Sequence, residues 1–123
     1  MLDEIIKNKL KEVSQLKSSF DISKIDASAP KKPFYETLLL RQGNKKNSII
    51  AEIKKRSPSK GMLDSNLNVS EKAVQYEAGG ASCLSVLTEK DYFHGSVDDL
   101  LIAKKSVNLP IFCLLYTSPS PRD

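Results

Sequence analysis

The feature that most constrains the fold is an alternation of strand-like and helix-like segments after residue 47. Short apolar segments typical of buried strands occur at residues 48–54, 81–88 and 109–112, and segments with helical spacing of apolar residues lie between them at 70–79 and 97–105. Strands that alternate with helices in this way are typical of a parallel sheet joined by crossover helices. The sequence therefore predicts an α/β fold for this part of the chain, with a loop over residues 56–68 and Ser70 as the candidate N-cap of the helix that follows it.

The residues ahead of this alternation predict two helices. Apolar residues recur at helical spacing from Leu2 to Leu16, and Phe34 to Leu40 predicts a second, shorter helix that ends near Gly43. The segment between the helices, Asp21 to Pro33, holds two prolines and predicts an irregular connector. We therefore expect a helical extension over residues 1–47.

Composition narrows the classes of protein to which the chain can belong. It has 123 residues, of which 40% are hydrophobic and 28% charged, values that exclude a mostly disordered chain. No apolar stretch approaches the roughly 20 residues that a membrane-spanning helix needs. The N-terminus lacks the basic and apolar regions of a signal peptide. We therefore expect a cytoplasmic location and no membrane partner.

Neither the net charge nor the spacing of the cysteines indicates a site for a nucleic acid or for a metal. The net charge is only +4, and the lysines lack the one-sided clustering that nucleic-acid binding requires. A modest positive field suits a phosphorylated small molecule. Cys83 and Cys113 have no metal-ligand spacing to each other or to the single histidine. We therefore expect no metal.

The segment Ile49–Gly61 places two opposite charges on one face of a buried strand. Residues two apart in a strand share a face, so Glu52 and Lys54 lie together, opposite Ala51 and Ile53. Charged groups on an apolar strand cost desolvation free energy unless they are paired or used. The end of this strand is therefore a candidate active site, and a purely structural Glu–Lys pair is the alternative.

Two blocks of sequence carry a family resemblance. Residues 50–59 read Ile-Ala-Glu-Ile-Lys-Lys-Arg-Ser-Pro-Ser, and residues 80–100 contain Ser-Val-Leu-Thr-Glu followed by Tyr-Phe-His-Gly-Ser. These blocks resemble the first two barrel strands, and the loops after them, of indole-3-glycerol phosphate synthases. The resemblance implies a truncated TIM (β/α)₈ barrel, since a complete barrel needs about 250 residues. This fragment of a barrel would comprise the N-terminal helices and, over residues 48–112, the first two to three β/α units.

The resemblance implies a lyase of tryptophan biosynthesis, a pathway of aromatic amino-acid biosynthesis. The family closes the ring of 1-(2-carboxyphenylamino)-1-deoxy-D-ribulose 5-phosphate with decarboxylation to give indole-3-glycerol phosphate. This chemistry requires no metal and no organic cofactor. The implied partner is a phosphorylated small molecule, and the parent protein is expected to be a monomer or fused to another tryptophan-pathway enzyme.

The resemblance also implies roles for particular residues. Lys54 matches a first-strand lysine that steadies anionic groups and assists proton transfer at the substrate. Glu52 matches a glutamate that can orient this ammonium group. Substrate-binding roles are implied for four residues: Ser57, Ser85, Leu87 and Phe93. The alternatives are a turn role for Ser57 and a loop-anchoring role for Phe93.

The end of the chain departs from the family pattern. In an ungapped comparison Leu114 stands where the family has its third-strand lysine, the principal general acid, and two prolines follow between Thr117 and Pro121. These prolines are incompatible with a helix or a central strand. Residues 113–123 resemble a translated sequencing adapter, and we expect them to be non-native or disordered. The fragment is expected to be inactive.

Two other functions are compatible with parts of the sequence. One is another phosphate-binding TIM-barrel enzyme, such as a phosphoribosyl isomerase, although the N-terminal helices and Ser-Pro-Ser at residues 57–59 argue against it. The other is a basic, non-enzymatic interaction module. Lysines clustered on one folded face, with salt-dependent binding to nucleic acid, would support the second.

A truncated barrel is expected to have low stability and low solubility as an isolated chain. Its outer strands leave backbone donors and acceptors unpaired, and such edges template aggregation. We expect marginal stability or insolubility when the 123 residues are expressed alone, as measured by light scattering and thermal melting. A cooperative thermal transition of a monomer would contradict this expectation.

Overall fold

The computed structural model describes residues 1–19, 21, 23 and 33–114. The chain divides into two compact units, of which the first is described over residues 1–19, 21 and 23 and the second over residues 33–114. The boundaries predicted at residues 47 and 112 remain a prediction. The helices and strands are α1 (Leu2–Ser19), α2 (Phe34–Gly43), β1 (Ile50–Ile53), β2 (Arg56–Ser57), β3 (Gly61–Met62), α3 (Val69–Ala78), β4 (Cys83–Leu87), α4 (Val97–Ser106) and β5 (Ile111–Leu114).

The first unit is described through its helix α1, which confirms the predicted N-terminal helix. Acidic residues lie in its first turn and Lys17 in its last, where each charge complements the helix dipole. Ile5 is its buried residue. Most of the predicted connector, residues 21–33, lies outside the described residues. Within the described part of the chain, no helix combines the length and the apolar character that crossing a membrane requires.

The second unit is built on a parallel sheet with the strand order β1-β4-β5. Both strand pairs are parallel, and Glu52 lies opposite Ser85, which in turn lies opposite Phe112. Helix α3 connects β1 to β4, and helix α4 connects β4 to β5. The predicted α/β alternation is confirmed, with four helices in the described residues, and it is the arrangement of the opening part of a (β/α)₈ barrel.

The hydrophobic core lies between one face of this sheet and helices α3 and α4. Ile53 of β1 is 3% exposed, while Leu84 and Val86 of β4 are fully buried. They pack with four residues of the two helices and the segments next to them: Val69, Ala73, Ala103 and Val107. The prediction that Ala51 and Ile53 share one face of the first strand is therefore confirmed, because Ile53 packs in the core and Ala51 packs against it.

The structure corrects three local predictions. The segment 56–68 is not a simple loop, since β2 and β3 pair within it as a short antiparallel hairpin. Ser70 is not the N-cap of α3, because the side chain of Asn68 accepts the N–H of Glu71. A side chain three residues before the bonded amide has the geometry of an N-cap. The strands are also shorter or shifted relative to the predicted ranges, as expected where propensity alone sets their ends.

The burial of Cys83 predicts that its thiol is alkylated more slowly than that of Cys113. Cys83 is fully buried in β4, and this burial raises the pKa of its thiol, against a smaller lowering effect of Arg41. Only the thiolate is alkylated, so iodoacetamide at pH 8 should label the half-buried Cys113 well before Cys83. Peptide mass spectrometry measures both rates, and denaturation in urea should make them converge. Equal rates in the folded chain would contradict the buried position of β4.

Candidate functional site

The charged pair of the first strand lies on the sheet face opposite the core. Lys54 Nζ lies 3.0 Å from Glu52 Oε1, and their side chains are 34% and 38% exposed. An ion pair this exposed contributes little to stability. The end of β1 is held from the other side, because the hydroxyl of Tyr76 in α3 donates to the carbonyl of Glu52 at 3.2 Å. The pair is thus fixed in place by its strand and remains open on its own face.

The parallel register places further predicted residues beside this pair. Ser85 is the register partner of Glu52, and one more step of the same register brings Leu87 next to Lys54. Both residues of β4 are buried, at 6% and 3% exposure. Their side chains alternate with Leu84 and Val86, so they lie on the face of the charged pair. The structure therefore brings together four predicted site residues at the carboxyl ends of two adjacent strands: Glu52, Lys54, Ser85 and Leu87.

The third strand continues this face with apolar side chains. Leu114 of β5 is the register partner of Leu87, so it lies in the same row as Lys54. Phe112 lies one row below, beside Ser85, and its ring contacts that of Phe34 in α2 with centroids 6.1 Å apart. The β5 position in the row of Lys54 is therefore an alkyl group, and Leu87 separates it from Lys54.

Ser57 stabilises the turn of the β2–β3 hairpin through its side chain. It is 9% exposed, and its hydroxyl accepts the N–H of Lys60 at 3.2 Å. Its strand partner is Gly61, whose φ of 69° suits glycine and allows the tight return of the hairpin. The turn role expected for this serine is therefore present, and the substrate-binding role stays a prediction.

Phe93 lies in the loop between β4 and α4, at the same edge of the sheet as Lys54. It is half-buried. The loop is organised by Glu89, whose fully buried carboxylate accepts backbone N–H groups from Asp91 at 3.1 Å, Tyr92 at 2.6 Å and Phe93 at 3.2 Å. Phe93 therefore occupies an ordered loop beside the candidate site.

Two side chains link the loops that follow β1 and β4, and sequence analysis missed both links. Lys55 Nζ pairs with Asp99 Oδ2 of α4 at 2.7 Å, and Asp99 is 7% exposed. Arg56 Nη1 donates to the carbonyls of Asp91 and Tyr92, at 3.4 Å each. Partners 35 to 44 residues apart in sequence leave no local pattern, so only the fold reveals them.

The role of Gly95 likewise becomes visible only in the three-dimensional structure. A Cβ atom at this position would lie 2.0 Å from the carbonyl oxygen of Leu87, closer than any side chain tolerates. The preceding His94 has a φ of 54°, in the left-handed region that few residues adopt. The loop therefore crosses the end of β4 in direct contact with its backbone.

The fold and this site define an enzyme class. Parallel strands with crossover helices, and polar side chains at the strands' carboxyl ends, are typical of (β/α)-barrel enzymes, whose sites lie at that edge. A sequence model of indole-3-glycerol phosphate synthase matches residues 2–117, nearly the whole chain. The chain therefore belongs to the indole-3-glycerol phosphate synthase family.

Curated relatives agree with this family. The chain is 40% identical over 117 residues to an indole-3-glycerol phosphate synthase of Crocosphaera subtropica. It is 41% identical over 117 residues to one of Prochlorococcus marinus and 38% identical over 115 residues to one of Rippkaea orientalis. In each case the alignment covers 92% of this chain and 39% of the relative. The chain thus spans about two fifths of the length of these relatives.

The close contact at Gly95 predicts a local effect of substitution. In Gly95→Ala the new methyl group must displace the backbone of β4 or of the loop, because all three atoms nearest to it are backbone atoms of Leu87 and Thr88. We expect trypsin to cleave after the exposed Lys90 at least about tenfold faster than in the unsubstituted chain, since loop opening governs cleavage.

The matched control is Gly43→Ala, where nothing lies within 4 Å of the added carbon. This substitution should leave cleavage after Lys90 unchanged. Equal cleavage rates in Gly95→Ala and Gly43→Ala would show that the loop does not contact β4 as described.

Proposed function

We propose that Glu52 and Lys54 are catalytic residues of indole-3-glycerol phosphate synthesis. The reaction would be ring closure and decarboxylation of 1-(2-carboxyphenylamino)-1-deoxy-D-ribulose 5-phosphate. The observation that carries the proposal is the position of the pair, 3.0 Å apart at the carboxyl end of a parallel strand and on the face away from the core. The family assignment supplies the chemistry for which such a pair is suited.

In this proposal Lys54 supplies positive charge where the substrate carries negative charge. Its ammonium group steadies the anionic substrate and assists proton transfer as the carbonyl oxygen is protonated and water is lost. The carboxylate of Glu52 holds that ammonium group toward the site, because the two are already paired. A pair that is about one third exposed can exchange partners with a ligand at low cost.

The remaining predicted residues line the same edge of the sheet. Ser85 and Leu87 share the face of the charged pair, and Phe93 belongs to the loop above it. We propose that the ring of Phe93 stacks on the aromatic ring of the substrate, and that Ser57 shapes the loop through its bond to Lys60. No step in this scheme requires a metal or an organic cofactor.

We propose that the 123-residue chain is inactive by itself. Leu114 lies in the row of Lys54 and carries no proton to donate. The match covers 39% of the relative, so most strands of a complete (β/α)₈ barrel lie outside the part matched here. We also propose that residues 113–123 are non-native. Among them, Cys113 and Leu114 extend β5, and residues 115–123 lie outside the described residues.

We also propose the setting in which the complete protein acts. A biosynthetic enzyme with a phosphorylated substrate is expected in the cytoplasm. The parent is proposed to be a monomer or to be fused to another enzyme of the tryptophan pathway. Neither a nucleic acid nor a membrane is a proposed partner.

A chimeric protein tests the proposal. Residues 1–112 are joined to the Crocosphaera subtropica relative from the position that aligns with residue 113 onward, which restores the end of the third strand and the family's later strands. We expect this chimera to form indole-3-glycerol phosphate, measured by indole fluorescence, and the 123-residue chain to form none. Lys54→Met should lower kcat/KM at least about 100-fold, equivalent to about 2.7 kcal/mol of transition-state stabilisation.

The matched control is Lys60→Met, because Lys60 is an exposed loop lysine near the same strand. It should change kcat/KM by less than about threefold, as is usual for a solvated surface charge. A folded chimera that makes no product, or one in which both lysine variants retain full activity, would overturn the assignment of Lys54.

A further inference from the structure

We infer that Glu89 is a positioning residue that sets the orientation of Phe93 through the backbone of the β4–α4 loop. Glu89 follows β4 directly and is fully buried. The stacking role of Phe93 rests on the proposed function, whereas the hold of Glu89 on the loop does not. Glu89 acts through Phe93 and is not itself a catalytic residue.

Three backbone donors converge on the carboxylate. Oε1 accepts the N–H of Asp91, and Oε2 accepts those of Tyr92 and Phe93. Hydrogen bonds to an ionised acceptor are about twice as strong as those between neutral groups. Burial of a carboxylate is costly unless such donors compensate it. Both oxygens of this acid therefore hold consecutive backbone groups of the loop.

The main chain of Glu89 closes the loop at its other end. Its carbonyl accepts the N–H of Gly95 at 2.8 Å, and the N–H of His94 bonds to the carbonyl of Lys90 at 3.2 Å. Gly95 is in turn held against Leu87. Phe93 thus lies between anchors on both sides, with its own N–H bonded, so the direction of its Cα–Cβ bond is fixed before any ligand arrives.

This arrangement has a consequence for binding. A side chain whose backbone is already ordered loses less entropy when it stacks on a ligand. In Glu89→Gln the side chain keeps one acceptor oxygen and turns an NH₂ group toward a backbone donor. At least one of the three amides then loses its partner, and the orientation of Phe93 is no longer enforced.

Amide hydrogen exchange tests the hold on the loop in the chimeric protein, in which the later strands of the relative complete the barrel. We expect exchange of the Asp91, Tyr92 and Phe93 amides to be at least about tenfold faster in Glu89→Gln, since a lost hydrogen bond to a charged group is worth about a decade. The matched control is Glu77→Gln, whose carboxylate accepts one backbone N–H, from Asn108, at 3.1 Å. It should leave the three loop amides unchanged. Unchanged exchange in Glu89→Gln would overturn the inference.

A double-mutant cycle in the chimera tests whether the effect passes through Phe93. Glu89→Gln should raise KM for the substrate about tenfold, with a smaller change in kcat, because ring stacking contributes uniform binding. Combined with Phe93→Ala, it should have less than about a twofold further effect, since coupled residues are not additive. Additive effects of the two substitutions would show that Glu89 acts only on general stability.

The two experiments separate this inference from the proposed function. If the unsubstituted chimera is folded but inactive, the proposed function fails, and the exchange rates of the three amides still decide whether Glu89 orders the loop. If the chimera is active and the loop amides do not respond to Glu89→Gln, the proposed function stands and the inference about Glu89 is wrong.

Discussion

The parallel register between β1 and β4 is the constraint on which the site depends. It places Glu52 beside Ser85 and so carries Lys54 to the position next to Leu87. In a strand each one-residue shift reverses every side chain. The apolar residues Ile53, Leu84 and Val86 fix the register by filling the core under the two helices. The hydrophobic effect on one face thereby decides where the charges of the other face lie.

The loops beyond this register are held by charged groups. Glu89 collects the backbone donors of its own loop, and the Lys55–Asp99 pair at 2.7 Å joins the segment after β1 to the start of α4. Asp99 also belongs to the first turn of α4, where Ser96 caps its N–H at 3.1 Å and the dipole favours negative charge. Partly buried and buried charges with matched partners thus order the edge of the sheet at which Glu52 and Lys54 lie.

The third strand shows how fold and chemistry separate. Cys113 and Leu114 pair with β4 in the expected parallel register, because strand pairing depends on the backbone and on apolar contacts. The hydroxyl of Thr88 also interacts with Cys113 and bonds the carbonyl of Leu114. A leucine satisfies all these requirements without offering a proton. The third strand can therefore extend the sheet with a leucine in the row of Lys54.

The sequence by itself determined the α/β alternation and the shared face of Glu52 and Lys54, because hydrophobic periodicity and strand alternation are local properties. It did not determine the hairpin at residues 56–62 or the N-cap at Asn68, where short-range hydrogen bonds compete with propensity. Only the tertiary structure decided the roles of Glu89, Gly95 and the Lys55–Asp99 pair. The pair joins residues 44 positions apart in sequence. The roles of Glu89 and Gly95 follow from the path of the β4–α4 loop over the end of β4, which no periodic pattern in the sequence encodes.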